Sequence, residues 1–353
     1  MRTLCRTPNA VGGHSIHLFR RTPLSLLMSA KPKVVFSDIP ITPAMEPHFE
    51  GLASLVEFIH PGSATAEHIA SAKSEAVVWV ARTSSVRAAD LAAMQQVKML
   101  SAWGVGYDHI DIPAATSLAI PVCINPFFSR SVAEATLTLM FALAKRLRCH
   151  MQDIANHGDR GHQSRGSEIQ GKTMGIVGFG RIGRELGELA ARLDMQVIAF
   201  DPYVQAGNVT GAAQMVSLDQ LLAEADFVVL TTALTAETRN MIDSAQLAKM
   251  KRSAYLINVG RGGLVNETAL LTALQDQQIA GAGLDVWEKE PVSPDHLLLK
   301  LDNVVGTPHR LAATWESLDR VCQGIADNIR RILNGQAPLN AVNADAIAAK
   351  ERK

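Results

Sequence analysis

From Lys33 onward the chain alternates short apolar runs rich in β-branched residues with stretches whose apolar positions recur at helical spacing. The runs "KVVFSD", "AVVWVAR", "VKMLSAWGVG" and "PVCIN" are separated by "TAEHIASAKS" and "RAADLAAMQQ", the alternation expected of strands joined by crossover helices into a parallel sheet. A second series follows, with strands predicted at "TMGIVGFG", "MQVIAFD", "DFVVLTT", "SAYLINVG", "AGAGLDVW" and "NVVGTPH". Six such signals suit a doubly wound α/β sheet. No repeat of fixed period is visible.

Between the two series lies "RSVAEATLTLMFALAKRLRCHMQDIANH". Ser131 and Glu134 have the S-x-x-E spacing of a capping box, which predicts a helix start there. Its early turns are apolar on nearly every side, so it is expected to be buried all round, between domains or between subunits. The polar, glycine-rich "ANHGDRGHQSRGSEIQGKT" reads as a linker into the second sheet. A final helical pattern, "TWESLDRVCQGIADNIRRILNG", is closed by Gly335 and Pro338.

Composition narrows the function classes. The formal net charge is +0 and no long basic block occurs, so bulk electrostatics favours neither nucleic acid nor an anionic membrane. Cys5, Cys123, Cys149 and Cys322 are far apart and form no C-x-x-C pair; they read as reduced thiols, with no metal site and no disulfide framework. The most apolar segment, "ATLTLMFALA", is too short for a membrane span. A cytoplasmic setting fits. The first thirty residues stand apart, with Arg2, Arg6, Arg20 and Arg21 and no acidic residue before Asp38. They read as a disordered extension, with Met28 a plausible start, or as a mitochondrial-type presequence.

The stretch "GIVGFGRIGRELGELAARLDMQVIAFD" carries the first chemical signal. Gly178, Gly180 and Gly183 follow a strand pattern and open a helix pattern, and Asp201 ends the next strand about twenty residues on, as a dinucleotide-binding turn requires. In such a turn the first glycine permits the tight bend, the second lets the backbone approach a pyrophosphate and the third lets the helix pack on the sheet. The helix start offers free N–H groups to the phosphates. Asp201 can accept hydrogen bonds from both ribose hydroxyls and would repel a 2′-phosphate, while "DPYVQAG" supplies no arginine to hold one, so NAD is expected rather than NADP. A turn that binds nothing, or a related adenosyl-methionine site, are the competing readings.

Three charged residues fall where later strands of the second series should end: Arg261 in "INVGRGGLVNE", Glu290 in "DVWEKEP" and His309 in "GTPHR". Ligands of open α/β sheets bind at the carboxyl ends of strands. Singly, each residue also has an unremarkable reading as a surface charge, a helix-start acid or a loop histidine.

Taken in order, "GIVGFGRIG" with Asp201, "MKRSAYLINVGRGGLVNE", "GAGLDVWEKEP", "DNVVGTPH" and "PLNAVN" resemble the D-isomer-specific 2-hydroxyacid dehydrogenases, over roughly Lys33 to Asn343. The resemblance implies a Rossmann NAD-binding domain (127–309) inserted into a smaller, discontinuous flavodoxin-like substrate-binding domain (31–126 with 310–345), between an extension (1–30) and a tail (346–353). It also implies a homodimer with the helix after Ser131 at the interface. It makes Arg261 the substrate-orienting arginine, Glu290 the partnering glutamate and His309 the acid/base. Val105 and Gly106 in "GVGYDHIDIPAA" would hold the substrate carboxylate through backbone N–H groups. Arg181 and Ile182 match the pyrophosphate turn, Thr232 and Ala233 the adenine-side wall, Val259 the nicotinamide-side backbone and Asp285 the carboxamide partner.

These roles agree with elementary chemistry. A guanidinium can hold a 2-keto acid's carboxylate while polarising its carbonyl. A histidine beside a carboxylate can supply the proton that the forming alkoxide needs. The chain departs from the pattern at "TPHRLAATWES", where Arg310 and Leu311 replace a small turn, at "TTALT", and in a linker that lacks tryptophan. Arg310 could select a substrate with a second carboxylate or a phosphate. With only "ADAIAAKERK" after the last motif, a short reductase of hydroxypyruvate or glyoxylate type is expected. The alternatives are a phosphoglycerate dehydrogenase-like enzyme without a regulatory domain and an NAD-sensing module that recruits proteins.

Overall fold

The computed structural model describes residues 30–157 and 165–352. The expected extension, except Ala30, Cys5 and part of the expected linker (158–164) lie outside the described residues. The chain divides into two compact units. One comprises the described residues through Trp103, His109–Asn125 and the chain from Cys322; the other comprises Gly104–Asp108 and Pro126–Val321, inserted in sequence within the first.

The first unit holds a parallel sheet of β1 (Lys33–Phe36), β2 (Glu57–Ile59), β3 (Ala76–Ala81), β4 (Met99–Ala102) and β5 (Val122–Cys123) in the order β2-β1-β3-β4-β5. Helices α1 (Glu46–Ala53), α2 (Ala66–Ser71), α3 (Ala88–Ala93) and α4 (Ile112–Ser117) connect its strands. This is the flavodoxin-like order. Every residue of β3 is buried, as a central strand covered on both faces requires. Burial pushes the Cys123 thiol up to about 12, so this cysteine behaves as a small apolar core residue.

The second unit opens with α5 (Ser129–Ala144) and α6 (Leu147–His157). Its sheet contains β6 (Thr173–Val177), β7 (Gln196–Phe200), β8 (Val209–Thr210), β9 (Ala213–Met215), β10 (Phe227–Leu230), β11 (Tyr255–Asn258), β12 (Gly281–Leu284) and β13 (Val304–Gly306). The order is β13-β12-β11-β10-β6-β7-β9-β8, parallel throughout except for the β8–β9 pair. From β9 to β12 it is the doubly wound order in which the chain reverses direction between β6 and β10. Helices α7 (Arg181–Ala191), α8 (Leu218–Glu224), α9 (Ser244–Leu247) and α10 (Glu267–Gln275) follow their strands. The helix α11 (Trp315–Leu333) ends on Gly335 at φ +68°, and α12 (Ala344–Glu351) makes most of the expected tail helical. No helix among the described residues is long and apolar enough to cross a membrane.

The α/β expectation is met, with corrections. Strands β2, β8 and β9 were not anticipated; each has only two or three residues, too few to show an alternation. The helix after the first series begins at Ser129, and its N-cap, Phe128, has no side-chain cap. Ser131 therefore lies inside the helix, where its Oγ meets Thr314 Oγ1 at 3.3 Å, while Glu134 accepts from Arg130 Nε at 2.7 Å instead of closing a box. Within the single chain, Arg130, Glu134, Thr138 and Phe141 form an exposed stripe, opposite Leu139, Met140 and Leu143 in the core with Val229 and Ile257. The helix is not continuous. Arg146, at φ +52°, separates α5 from α6.

Candidate active site

The carboxyl edge of the second sheet carries the expected residues strand by strand. Asp201 follows β7, the glycine turn follows β6, Thr232 and Ala233 follow β10, Val259 and Arg261 follow β11, Asp285 and Glu290 follow β12, and His309 follows β13. Because β7, β6, β10, β11, β12 and β13 are consecutive neighbours, these residues form one line along one edge. Neighbouring strands lie about 4.8 Å apart, so the line is several strand spacings long.

At the β6 end, Gly178 has φ +92°, and a Cβ there would lie 2.8 Å from Thr232 Cα. A Cβ on Gly183 would lie 2.4 Å from Gly178 O, so the turn and the first turn of α7 touch through backbone. Gly180 is different: as the N-cap of α7 it has no side-chain cap, and a Cβ there would meet nothing within 4 Å. Open space thus lies over a helix N-terminus whose first N–H groups have no partner within the helix, the arrangement that accepts phosphate. Asp201 Oδ2 accepts from Phe179 N at 2.9 Å and Oδ1 from Tyr203 N at 3.0 Å. Each carboxylate oxygen retains accepting capacity for a ribose hydroxyl. These residues fit a dinucleotide. Sequence reasoning missed Thr231, whose hydroxyl donates to Gly178 O at 2.6 Å and fixes the turn to the end of β10.

At the other end, His309 Nδ1 lies 2.8 Å from Glu290 Oε2. Glu290 Oε1 accepts from Trp287 N at 3.1 Å, so both carboxylate oxygens are engaged. Burial pushes the Glu290 carboxyl up, but the hydrogen bond and charge of His309, the Trp287 N–H and the Arg261 charge together outweigh it and hold the group below its ordinary value. An ionised carboxylate only accepts, so His309 Nδ1 carries the hydrogen and Nε2 is left for chemistry.

His309 itself sits at φ +56°, a conformation uncommon for a side-chain-bearing residue. The carboxylate of buried Asp285 holds the loop there: its Oδ1 accepts from Thr307 Oγ1 at 2.7 Å, Arg310 N at 3.1 Å and Leu311 N at 3.3 Å. Trp287 Nε1 adds a bond of 2.9 Å to Thr307 O. This clamp was not legible in the sequence, where the resemblance makes Asp285 a carboxamide partner and nothing ties it to the loop after β13. Arg310 contributes its backbone to the clamp, and its side chain is exposed.

Arg261 is presented by the turn after β11. Asn258 shapes that turn, donating from Nδ2 to Arg261 O at 2.9 Å and accepting from Gly260 N at 3.1 Å. A Cβ on Gly262 would lie 1.8 Å from Trp287 C, so the Arg261 turn can abut the loop leading to Glu290 only with glycine there. The Arg261 side chain reaches the 104–108 turn, where Val105 and Gly106 are part-buried.

Residues 137–310 match the family model described as D-isomer specific 2-hydroxyacid dehydrogenase, NAD binding domain. A glyoxylate reductase of Thermofilum pendens is 36% identical over 276 residues, covering 76% of this chain and 81% of the relative. The chain belongs to the D-isomer specific 2-hydroxyacid dehydrogenase family. A D-3-phosphoglycerate dehydrogenase of Methanocaldococcus jannaschii is 36% identical over 283 residues, 79% of this chain and 54% of the relative. The chain spans about half the length of the curated D-3-phosphoglycerate dehydrogenases it matches. Among solved structures, a glyoxylate reductase from Paecilomyes thermophila has a TM-score of 0.81 at 27% identity, covering 90% of this chain and 100% of that one.

The depressed Glu290 value sets a pH dependence. A carboxyl held below its ordinary value of 4.5 contributes stability that is complete above that value and lost as pH falls through the lower folded value. The melting temperature of the wild type should therefore exceed that of Glu290→Gln at neutral pH, with the gap closing below about pH 4.5. Thermal melts of both proteins across pH 3 to 7 (roughly the window set by carboxylate titration) check this; a gap independent of pH would show that Glu290 is not ionised in the pair.

Proposed function

We propose that this protein is an NAD-dependent reductase of small 2-keto acids, forming D-2-hydroxy acids, with glyoxylate or hydroxypyruvate as the preferred class. The observation that carries the reading is the delivery of Arg261, the Glu290–His309 pair and the glycine turn to one sheet edge by neighbouring strands. Residues 31–126 with 310–345 serve as the substrate-binding domain and 127–309 as the nucleotide domain in this proposal.

In the reaction, NADH would supply the hydride, and Gly178, Gly180, Arg181, Ile182, Gly183, Asp201, Thr232, Ala233, Val259 and Asp285 would hold it. The Val105 and Gly106 N–H groups and the Arg261 guanidinium take the substrate carboxylate. Arg261 also draws electron density toward the carbonyl oxygen. His309 gives its Nε2 proton to that oxygen as the alcohol forms and takes it back in the reverse direction, while Glu290 holds the ring through Nδ1.

Asp201 sets the coenzyme preference. Wild type should favour NADH over NADPH by at least about tenfold in kcat/KM, and Asp201→Ser should erase most of that preference by removing the charge that repels a 2′-phosphate. Initial rates with each coenzyme check it, and a wild type indifferent to the phosphate would contradict it.

Two further readings belong to the proposal. Leu147, Met151 and Ile154, exposed at 50%, 62% and 70%, share one face of α6 and support a homodimer that covers them. Cys123, a buried thiol in the core, supports a reducing, cytoplasmic setting. The exposed Arg310 beside His309 favours a second reading, a phosphoglycerate dehydrogenase-like substrate with a second anionic group. NADH oxidation with glyoxylate, hydroxypyruvate, pyruvate and 3-phosphohydroxypyruvate separates the two. Highest kcat/KM on the first two supports the proposal, and a phosphate-dependent preference lost in Arg310→Ala supports the second reading. No turnover with tight NADH binding points to an NAD-sensing module.

A further inference from the structure

Arg261 has five N–H donors, one on Nε and two on each Nη. Asp108 Oδ1 accepts from Nε at 2.9 Å, and Gly260 O accepts from Nη1 at 2.9 Å. That leaves one hydrogen on Nη1 and two on Nη2. Gly106 determines where Nη2 lies: a Cβ built on Gly106 would be 1.2 Å from Nη2 and 2.5 Å from Cζ. The guanidinium thus occupies the space that any side chain at position 106 would fill. Glycine is needed there to seat the arginine, in addition to leaving the turn's N–H groups accessible.

We propose that Asp108 is a positioning residue for Arg261: by engaging Nε it turns the guanidinium so that its Nη edge, seated over Gly106, faces the substrate carboxylate. The side-on fork, made of Nε and one Nη2 hydrogen, is closed to the substrate because Nε is already bonded. The substrate meets the Nη edge instead, beside the turn whose Val105 and Gly106 N–H groups take the same anion. Stability alone does not account for this pair. The Asp108 side chain is 49% exposed, and exposed ion pairs contribute little to folding. A carboxylate near an anion-binding site also opposes the anion electrostatically. Its compensating contribution is orientation, which matters because a catalytic group misplaced by about 1 Å can cost about 10²-fold in rate.

The inference rests on the role proposed above for Arg261, and a double-mutant cycle separates the two. In the full-length protein, with NADH and the best 2-keto acid of the panel, Asp108→Ala should lower kcat/KM by about 30- to 100-fold with NADH binding unchanged. Asp108→Asn, which keeps an accepting oxygen, should recover activity to within about threefold of wild type. In an Arg261→Ala background, Asp108→Ala should cost no more than about twofold, because the group it acts through is gone. Wild-type activity in Asp108→Ala, or an equal loss in both backgrounds, would overturn the positioning role while leaving that of Arg261 intact. An Arg261→Ala protein with full keto-acid activity would overturn the role of Arg261 itself. Should Asp108→Ala fail to bind NADH, Gly106→Ala carries the test: its Cβ displaces the guanidinium without altering Asp108, so retained activity would refute the seating.

Discussion

Replacing His309 with glutamine lowers kcat/KM for keto-acid reduction by about 10²- to 10⁴-fold, the range of a lost general acid. NADH affinity is unchanged. The physical reason is specific to the geometry: Nδ1 is committed to Glu290 at 2.8 Å, so Nε2 alone can deliver the proton. A glutamine can hydrogen-bond but cannot supply a proton near neutral pH, and the forming alkoxide must find one from water. Glu290→Gln should cost less, since the ring keeps its Nε2 donor and an amide oxygen can still accept from Nδ1. Steady-state kinetics with fluorescence titration of NADH separates loss of chemistry from loss of binding. Equal kcat/KM for wild type and His309→Gln would remove His309 from the mechanism.

Arg261→Lys produces a second large loss, about 10²- to 10³-fold in kcat/KM, as when one oxyanion donor is removed. An ammonium keeps the charge but has no Nε to pair with Asp108 and no planar fork to engage a carboxylate and a neighbouring carbonyl together. The effect should appear in both KM and kcat, because the same group binds the ground state and stabilises developing charge. NADH binding is the control. A lysine variant with near wild-type kcat/KM would show that charge, and not the oriented fork, is what position 261 supplies.

Much of this was legible in the sequence because strand-end chemistry is local. The apolar runs ending at Asn258, Leu284 and Gly306 place Arg261, Glu290 and His309 beyond neighbouring strands, and parallel pairing brings such ends together. Likewise, the glycine spacing at 178–183 requires backbone approach wherever it follows a strand. Contacts chosen by folding were hidden. Asp108 and Arg261 are 153 residues apart, and nothing in "GYDHID" identifies a partner. The Asp285 clamp depends on three donors from the loop after β13, two of them backbone N–H groups that leave no trace in residue type.

The helix after the first series shows tertiary packing overriding a local signal. Ser131 and Glu134 have capping-box spacing, yet Arg130 lies one turn before Glu134 and competes for its carboxylate, and the helix starts two residues earlier. The break at Arg146 occurs without glycine or proline, in a charged stretch that favours helix. Here the positions of α5 and α6 over the sheet, with Arg148 donating to Val304 O at 2.7 Å and Leu299 O at 2.8 Å, override local preference.

In the proposed reaction one sheet edge holds a 2-keto acid between Arg261 and His309 so that hydride from NADH reaches a single face. Its most direct test is the configuration of the product formed from hydroxypyruvate and NADH, read by chiral chromatography. NADH should be consumed in equal amount to a single D-2-hydroxy acid; an L or racemic product, or no reduction of any 2-keto acid by a protein that binds NADH, would overturn the proposed reaction.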